Sequence, residues 1–237
     1  MQLERLLSEQ GFGTRRECRR LAREGRVRIA GVVADDPFQD VDLTGAHFEV
    51  DGVSWPYFAK AVILLHKPAG YECSRHPKHH PGVHVLLPPQ FSTRNLQCVG
   101  RLDADTTGLL LLTDDGPLIH ALSSPRRKVE KRYRVTTRHP LDARQIEALR
   151  TGVVLRDDPE PVAAEAVDIV NDHTLDLALT SGRYHQVKRM LAAVGNRVEA
   201  LCRVAVGGLV LPDDLPEGHW RWLFPDDLAL LWKEPDR

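Results

Sequence analysis

No stretch of the chain approaches the ~18 consecutive apolar residues that a membrane-spanning helix needs. The opening MQLERLLSEQ carries Glu4, Arg5 and Glu9 where a secretory signal would be apolar. A cytoplasmic protein without a membrane partner is therefore expected. Cysteine is scarce: Cys18, Cys73, Cys98 and Cys202 are far apart in sequence and form no C-x-x-C pair. That excludes a disulfide framework or zinc ribbon and predicts reduced structural thiols. There is no internal repeat and no low-complexity tract. The 42% hydrophobic and 27% charged residues, with 16 dispersed prolines, are ordinary for a globular chain and argue against disorder. Net charge is almost absent, at -1. A net value hides distribution, however, so it does not exclude a polyanionic partner.

What is present begins with length. At 237 residues the chain has room for one sizeable domain and a small accessory module. Residues 1–28 hold eight arginines against four glutamates. A short helix with Leu3, Leu6 and Leu7 inward is expected, then Gly11 and Gly13. Thr14-Arg15-Arg16-Glu17 follows, whose T-x-x-E spacing predicts a capping box and a second helix. Cys18, Leu21 and Ala22 would face inward. Arg16, Arg19, Arg20 and Arg23 recur at helical spacing on the opposite face, with Arg15 beside them. Val27-Arg28-Ile29 and Gly31-Val32-Val33 read as a short hairpin. An acidic, irregular stretch from Asp35 to Asp51 then leads toward Trp55, with a boundary near residue 56.

Beyond that boundary the pattern is α+β. Residues 61–66 and 109–113 are buried-strand candidates, and Leu175, Leu177 and Leu179 alternate as a one-faced strand. Asp142 can cap a helix that holds Ile146 and Leu149 and ends at Gly152. Residues 184–194 read as another helix, ending at Gly195, with Val187, Met190, Leu191 and Val194 on its packed face. A mixed, mainly antiparallel sheet with flanking helices and a cleft on one face is expected.

The segment Gly100-Arg101-Leu102-Asp103-Ala104-Asp105-Thr106-Thr107-Gly108 sets a carboxylate between an arginine and a small-residue turn, directly before an apolar strand. Such a loop can present Asp103 to a cleft. It can equally be an Asx-type turn in which Asp105 or Thr106 bonds local backbone. On alternation alone, Lys131, Tyr133 and Val135 share one strand face, so Tyr133 points toward the more apolar side. Residues 123–138 contain seven basic side chains against Glu130 alone, while acidic residues gather in 35–51 and 209–237. A near-neutral chain can thus still offer a positive face.

The run G-R-L-D-x-D-T-T-G-L-L-L-L-T-D-D-G resembles the signature of bacterial pseudouridine synthases of the RsuA type. Three further segments stand in matching order: His66-Lys67-Pro68-Ala69-Gly70, Glu130-Lys131-Arg132-Tyr133, and Gly182-Arg183-Tyr184-His185-Gln186-Val187-Lys188-Arg189-Met190. The N-terminal helices and hairpin look like the small RNA-binding module of the ribosomal S4 type. The resemblance implies a pseudouridine-synthase fold at 56–237 behind an RNA-binding module and linker at 1–55. It implies that Asp103 is the catalytic carboxylate, that Tyr133 stacks on the target base, and that Lys188 is the cation beside the carboxylate, with Arg189 its close rival. It further implies that no cofactor takes part. RNA contacts are expected from Arg15, Arg16, Arg19, Arg20, Arg23, Arg101, Lys131, Arg183 and Arg189. Arg101 is expected to fill the space of a flipped nucleotide or bind its phosphate.

The expected partner is ribosomal RNA, most naturally 16S rRNA or a small-subunit assembly intermediate, bound by a monomer. The stretch at 80–83 and the lack of a basic C-terminal extension favour the small subunit over 23S rRNA. A non-catalytic assembly factor is the alternative from another class. A glycoside hydrolase using Asp103 and Asp105 is disfavoured, because residues two apart need not face one sugar. His76, His79, His80 and His84 crowd one loop but lack helical or strand spacing, so no metal site is expected. Asp114-Asp115-Gly116-Pro117 reads as a turn and helix cap.

Overall fold

The computed structural model describes residues 1–42, 47–156 and 158–233; parts of both acidic stretches, 35–51 and 209–237, lie outside the described residues. The chain divides into two units, Met1–Ala61 with Leu87–Gln97, and Val62–Leu86 with Cys98–Arg237. The first break, after Ala61, falls a few residues past the expected boundary near 56, and a later segment returns to the first unit. Side-chain burial explains the return. Phe91 is fully buried, its ring edge-on to Trp55 at 6.3 Å. Arg94 donates to Gln10 Oε1 at 2.7 Å and to the Phe58 carbonyl at 2.9 Å.

In the first unit α1 (Leu3–Glu9) and α2 (Arg15–Arg23) precede strands β1 (Val27–Ile29), β2 (Val32–Val33), β3 (His47–Val50) and β4 (Val53–Pro56). The short helix α3 (Pro89–Thr93) belongs to the returning segment. Thr14 and Glu17 form the expected reciprocal capping box, which removes two orphan donors from the helix start. Leu3, Leu6, Leu7, Cys18, Ala22 and Phe48 form the core. One expectation is corrected here. The stretch from Asp35 to Asp51 is not irregular throughout, because β3 pairs antiparallel with β1 and turns the hairpin into a sheet of order β2-β1-β3-β4. Phe48, 1% exposed, drives that pairing by burying its ring on the helices.

The second unit contains β5 (Val62–Lys67), β6 (Gln97–Cys98, which straddles the unit boundary), β7 (Thr107–Thr113), α4 (Gly116–Ser123), β8 (Lys131–Thr137), α5 (Ala143–Thr151), β9 (Val153–Leu155) and β10 (Asp158–Val162). It continues with β11 (Ala166–Asn171), β12 (Thr174–Leu179), α6 (Gln186–Ala193), β13 (Val198–Val206), β14 (Leu209–Val210), β15 (Trp220–Trp222) and α7 (Pro225–Leu230). Its main sheet runs β11-β12-β8-β13-β7-β5-β15. Neighbours along it are antiparallel except β7 and β13, which run parallel. Asp142 and Gln145 cap α5 reciprocally, as the spacing predicts. Asp115 accepts the Leu118 amide at 3.2 Å, the cap expected of Asp-Gly-Pro.

The parallel join depends on one glycine. Gly108 has φ +106°, and a Cβ there would lie 2.3 Å from the Arg203 carbonyl oxygen and 2.6 Å from its nitrogen. Without a side chain β7 can lie against β13, where Arg203, 4% exposed, donates from Nε to the Leu109 carbonyl at 2.8 Å. Among the described residues no helix is long and apolar enough to cross a membrane.

Candidate active site

The loop carrying Asp103 runs between β6 and β7 and is held from behind. Lys67, the last residue of β5, is fully buried. Its ammonium donates to the carbonyls of Pro68 (3.0 Å), Ala104 (3.2 Å) and Thr106 (2.8 Å). The Gly70 amide also reaches the Ala104 carbonyl, at 2.7 Å, and the Leu102 amide donates to Cys73 Sγ at 3.4 Å. Burial pulls the Lys67 pKa below its ordinary value, against the opposing charges of Cys73, Asp105 and Asp103. The Thr106 amide donates to the Asp103 carbonyl at 3.1 Å. The loop is therefore turned by a main-chain bond rather than by the Thr106 hydroxyl, and the Asp103 carboxylate projects toward the third residue of α6.

There Lys188 Nζ lies 3.0 Å from Asp103 Oδ2 and 2.6 Å from Asp105 Oδ1. His185 Nε2 lies 3.3 Å from Asp103 Oδ1. Each carboxylate oxygen of Asp103 thus has a nitrogen opposite it, and its side chain keeps 30% exposure. Burial raises the Asp105 pKa, but the bond and charge of Lys188 outweigh it and leave the group below its ordinary value. Burial likewise lowers the pKa of Lys188, and its bonds to Asp105 and Asp103 more than restore it, so the ammonium holds its proton more firmly than a free lysine. The lysine anticipated beside the carboxylate is the one bonded to it. Arg189 donates to the Tyr184 carbonyl at 3.3 Å.

A cavity of about 90 Å³ opens at this point, lined by Arg101, Asp103, Tyr133, Leu179, His185 and Lys188 among others. Tyr133 comes from β8, where its ring packs on the core under α5 and α6 and shares the cavity with Asp103, as strand alternation indicates. Lys131 sits two residues before it, partly buried, with burial and then the Arg203 charge lowering its pKa. Arg101 is exposed at the cavity rim.

The expected helix over 184–194 begins later, at Gln186, because His185 adopts a left-handed conformation (φ 48°, ψ 34°). A polar clasp fixes that turn. Gln186 Oε1 accepts the Arg183 amide at 2.8 Å and the Ser181 hydroxyl at 3.0 Å. The sequence alone assigns His185 no role within the 182–190 motif. The signal that could have found it is its three-residue spacing from Lys188, which puts both at the same end of one helix.

Several cations expected to meet RNA are engaged within the chain. Arg183 pairs with Asp158 and Arg19 with Glu4. Arg20 meets Glu24 at 2.6 Å, and in the basic stretch Arg134 meets Asp176 at 2.9 Å. Arg15, Arg16 and Arg23 are exposed along α2, and Arg126, Arg127 and Lys128 form a second exposed cluster. The histidine loop is organised by Glu72, whose carboxylate accepts the amides of Lys78, His79 and His80 at 3.1, 2.8 and 2.9 Å. Among the described residues no three His, Cys, Asp or Glu side chains converge as metal ligands. Cys98, distant in sequence, acts on Cys73 behind the Asp103 loop and lowers the pKa of its thiol.

Comparison with known proteins adds an independent line. The profile of RNA pseudouridylate synthases matches residues 61–193, and that of the S4 domain matches residues 1–45. "Ribosomal small subunit pseudouridine synthase A" of Yersinia pestis is 39% identical, covering 97% of this chain and 97% of the relative. The protein of the same name from Pasteurella multocida is 35% identical over 98% of this chain and all of its own length. The Escherichia coli one is 34% identical over 97% and 99%. A solved structure, "Crystal structure of pseudouridylate synthase", superimposes with TM-score 0.69 at 32% identity, over 98% of this chain and 99% of that one.

Proposed function

This chain belongs to the RNA pseudouridylate synthase family, and we propose that it isomerises one uridine of small-subunit ribosomal RNA with Asp103 as its catalytic carboxylate. The observation that carries this reading is the placement of Asp103 between Lys188 and His185 on the wall of a cavity that also holds Tyr133. The reaction breaks the bond from uracil N1 to ribose C1′ and joins C5 to that same carbon. The proton of C5 is lost and N1 gains one, so nothing is consumed and no cofactor is needed. A carboxylate in this position serves as nucleophile at C1′ or as base toward the 2′ position. Either role requires ionisation and a fixed direction, which the ammonium at 3.0 Å supplies.

The target base must leave its stack to enter the cavity that this carboxylate lines. Tyr133 offers the π-face on which it rests, and Arg101 at the rim meets the vacated position or its phosphate. The S4 domain supplies the exposed Arg15, Arg16 and Arg23 for sequence-independent phosphate contacts. The small-subunit target is supported by the names of full-length relatives. Mapping rRNA pseudouridines in cells with and without the gene tests the proposal: one small-subunit site should vanish. It should return with the wild-type gene but not with Asp103→Asn. Loss of a large-subunit site instead would move the target, and product formed by Asp103→Asn would remove Asp103 from the catalytic role.

A further inference from the structure

His185 lines the cavity, yet neither it nor its neighbour Tyr184 has been given a task of its own in the reaction. Tyr184 is 72% exposed, unusual for a tyrosine beside a cavity. Its ring stacks on that of His185 with centroids 3.8 Å apart and planes at 22°. The imidazole is thus covered on one face by the phenol ring, while its Nε2 faces Asp103 Oδ1 at 3.3 Å. The backbone of His185 is left-handed without being glycine, a conformation that persists where surrounding structure imposes it and that concentrates at functional sites. Here the Gln186 clasp and the Arg189 bond to the Tyr184 carbonyl impose it. Cations lie near: Lys188 and Arg189 follow on α6, Arg189 bonds the Tyr184 carbonyl, and Arg101 lines the same cavity as His185. An exposed aromatic ring among cations, one residue from a group that touches a catalytic carboxylate, has the composition of a single-strand stacking platform.

Building on the assignment of Asp103, we propose that Tyr184 is a stacking platform for an RNA base next to the target uridine, and that His185 beneath it is a positioning residue fixing Oδ1 of Asp103. Lys188 fixes the other oxygen, so the carboxylate plane is set only when both partners are present. The outer face of Tyr184 takes the base, and the stack it completes keeps the imidazole seated against Asp103. One element thereby serves both RNA affinity and carboxylate orientation.

The two roles separate in a steady-state assay of tritium release from a small-subunit rRNA transcript labelled at uridine C5. Tyr184→Leu, which removes the ring, should raise KM by about 5- to 150-fold, the range for loss of one stacked base, with a smaller change in kcat. Tyr184→Phe, which keeps the ring, should recover most of that loss. His185→Asn tolerates the left-handed backbone but falls short of Asp103, and should lower kcat with little change in KM. His185→Gln, long enough to donate to Oδ1, should recover part of kcat. Wild-type kinetics in Tyr184→Leu or in His185→Asn overturns the proposal, as does a Gln variant no better than Asn. Activity in Asp103→Asn would instead overturn the reading of the site itself, so the two failures are distinguishable.

Discussion

Replacing Gly108 by alanine tests whether the parallel join of β7 and β13 depends on that glycine. Two costs add. The residue sits at φ +106°, where a side chain carries strain of roughly 1–3 kcal/mol. Its new methyl would lie 2.3 Å from the Arg203 carbonyl oxygen and 2.6 Å from the Arg203 nitrogen, both backbone atoms of the adjoining strand. Neither can swing away as a side chain could, so an overpacking cost of about 1–3 kcal/mol follows. The sum, about 2–6 kcal/mol, is a large share of the ~5–15 kcal/mol that holds an ordinary domain folded. In a chain of this size it should lower Tm by at least about 4 °C. Urea melts should show a lower midpoint with unchanged slope. Gly182→Ala is the control: that glycine has open space around it and no left-handed φ, so stability should hold or rise by about 0.4–1 kcal/mol. If Gly108→Ala melted alongside Gly182→Ala, the close approach of the two strands would be wrong.

Lys188→Met should lower kcat by about 10²- to 10³-fold, the usual loss when one preorganised electrostatic partner is removed, and Lys188→Arg should recover part of it. Wild-type rates in the Met variant would refute the role of the ammonium. The neighbouring Cys98 thiol holds that of Cys73 below its ordinary pKa, whereas burial pushes Cys18 up to about 11 and raises Cys202. Iodoacetamide labelling followed by peptide mapping should therefore find Cys73 modified first as pH rises, and Cys98→Ala should delay it; earlier labelling of Cys202 would contradict the pairing. Lys67 has a folded pKa below 10.5, its ordinary value. In the window under 10.5 the unfolded chain holds a proton that the folded chain gives up, so the cost of burying the ammonium is present at neutral pH and is relieved as pH rises. Wild-type stability should accordingly gain on that of Lys67→Met through the alkaline range. Parallel curves for the two proteins would show that Lys67 does not titrate in that window.

Local signals were the legible ones. The T-x-x-E spacing at Thr14 and the Asp142 cap each depend on residues within one helical turn, and both elements formed as read. The apolar run of β7 and the alternation of β12 likewise carry their own burial pattern. Lys188 beside Asp103 was anticipated through resemblance, because 85 positions separate the two and no spacing rule joins them. What was not legible depends on groups meeting across the fold. A lysine in His-Lys-Pro gives no sign that it will be fully buried beneath another loop. Nothing local in Leu87–Gln97 says that it rejoins the first unit. The late start of α6 comes from a side-chain clasp by Gln186, a residue that propensity reads as an ordinary helix former.

The three carbonyls gathered by Lys67 bear on the thermodynamics of substrate capture. The Asp103 loop receives its order when the protein folds, from a cation on the side away from solvent. RNA arriving at the opposite side then meets a loop whose conformational entropy has already been surrendered. Calorimetry of RNA binding should consequently register the ordering of the nucleic acid and almost none from this segment. A variant lacking the buried ammonium would shift that entropic penalty from the folding reaction to the encounter with RNA.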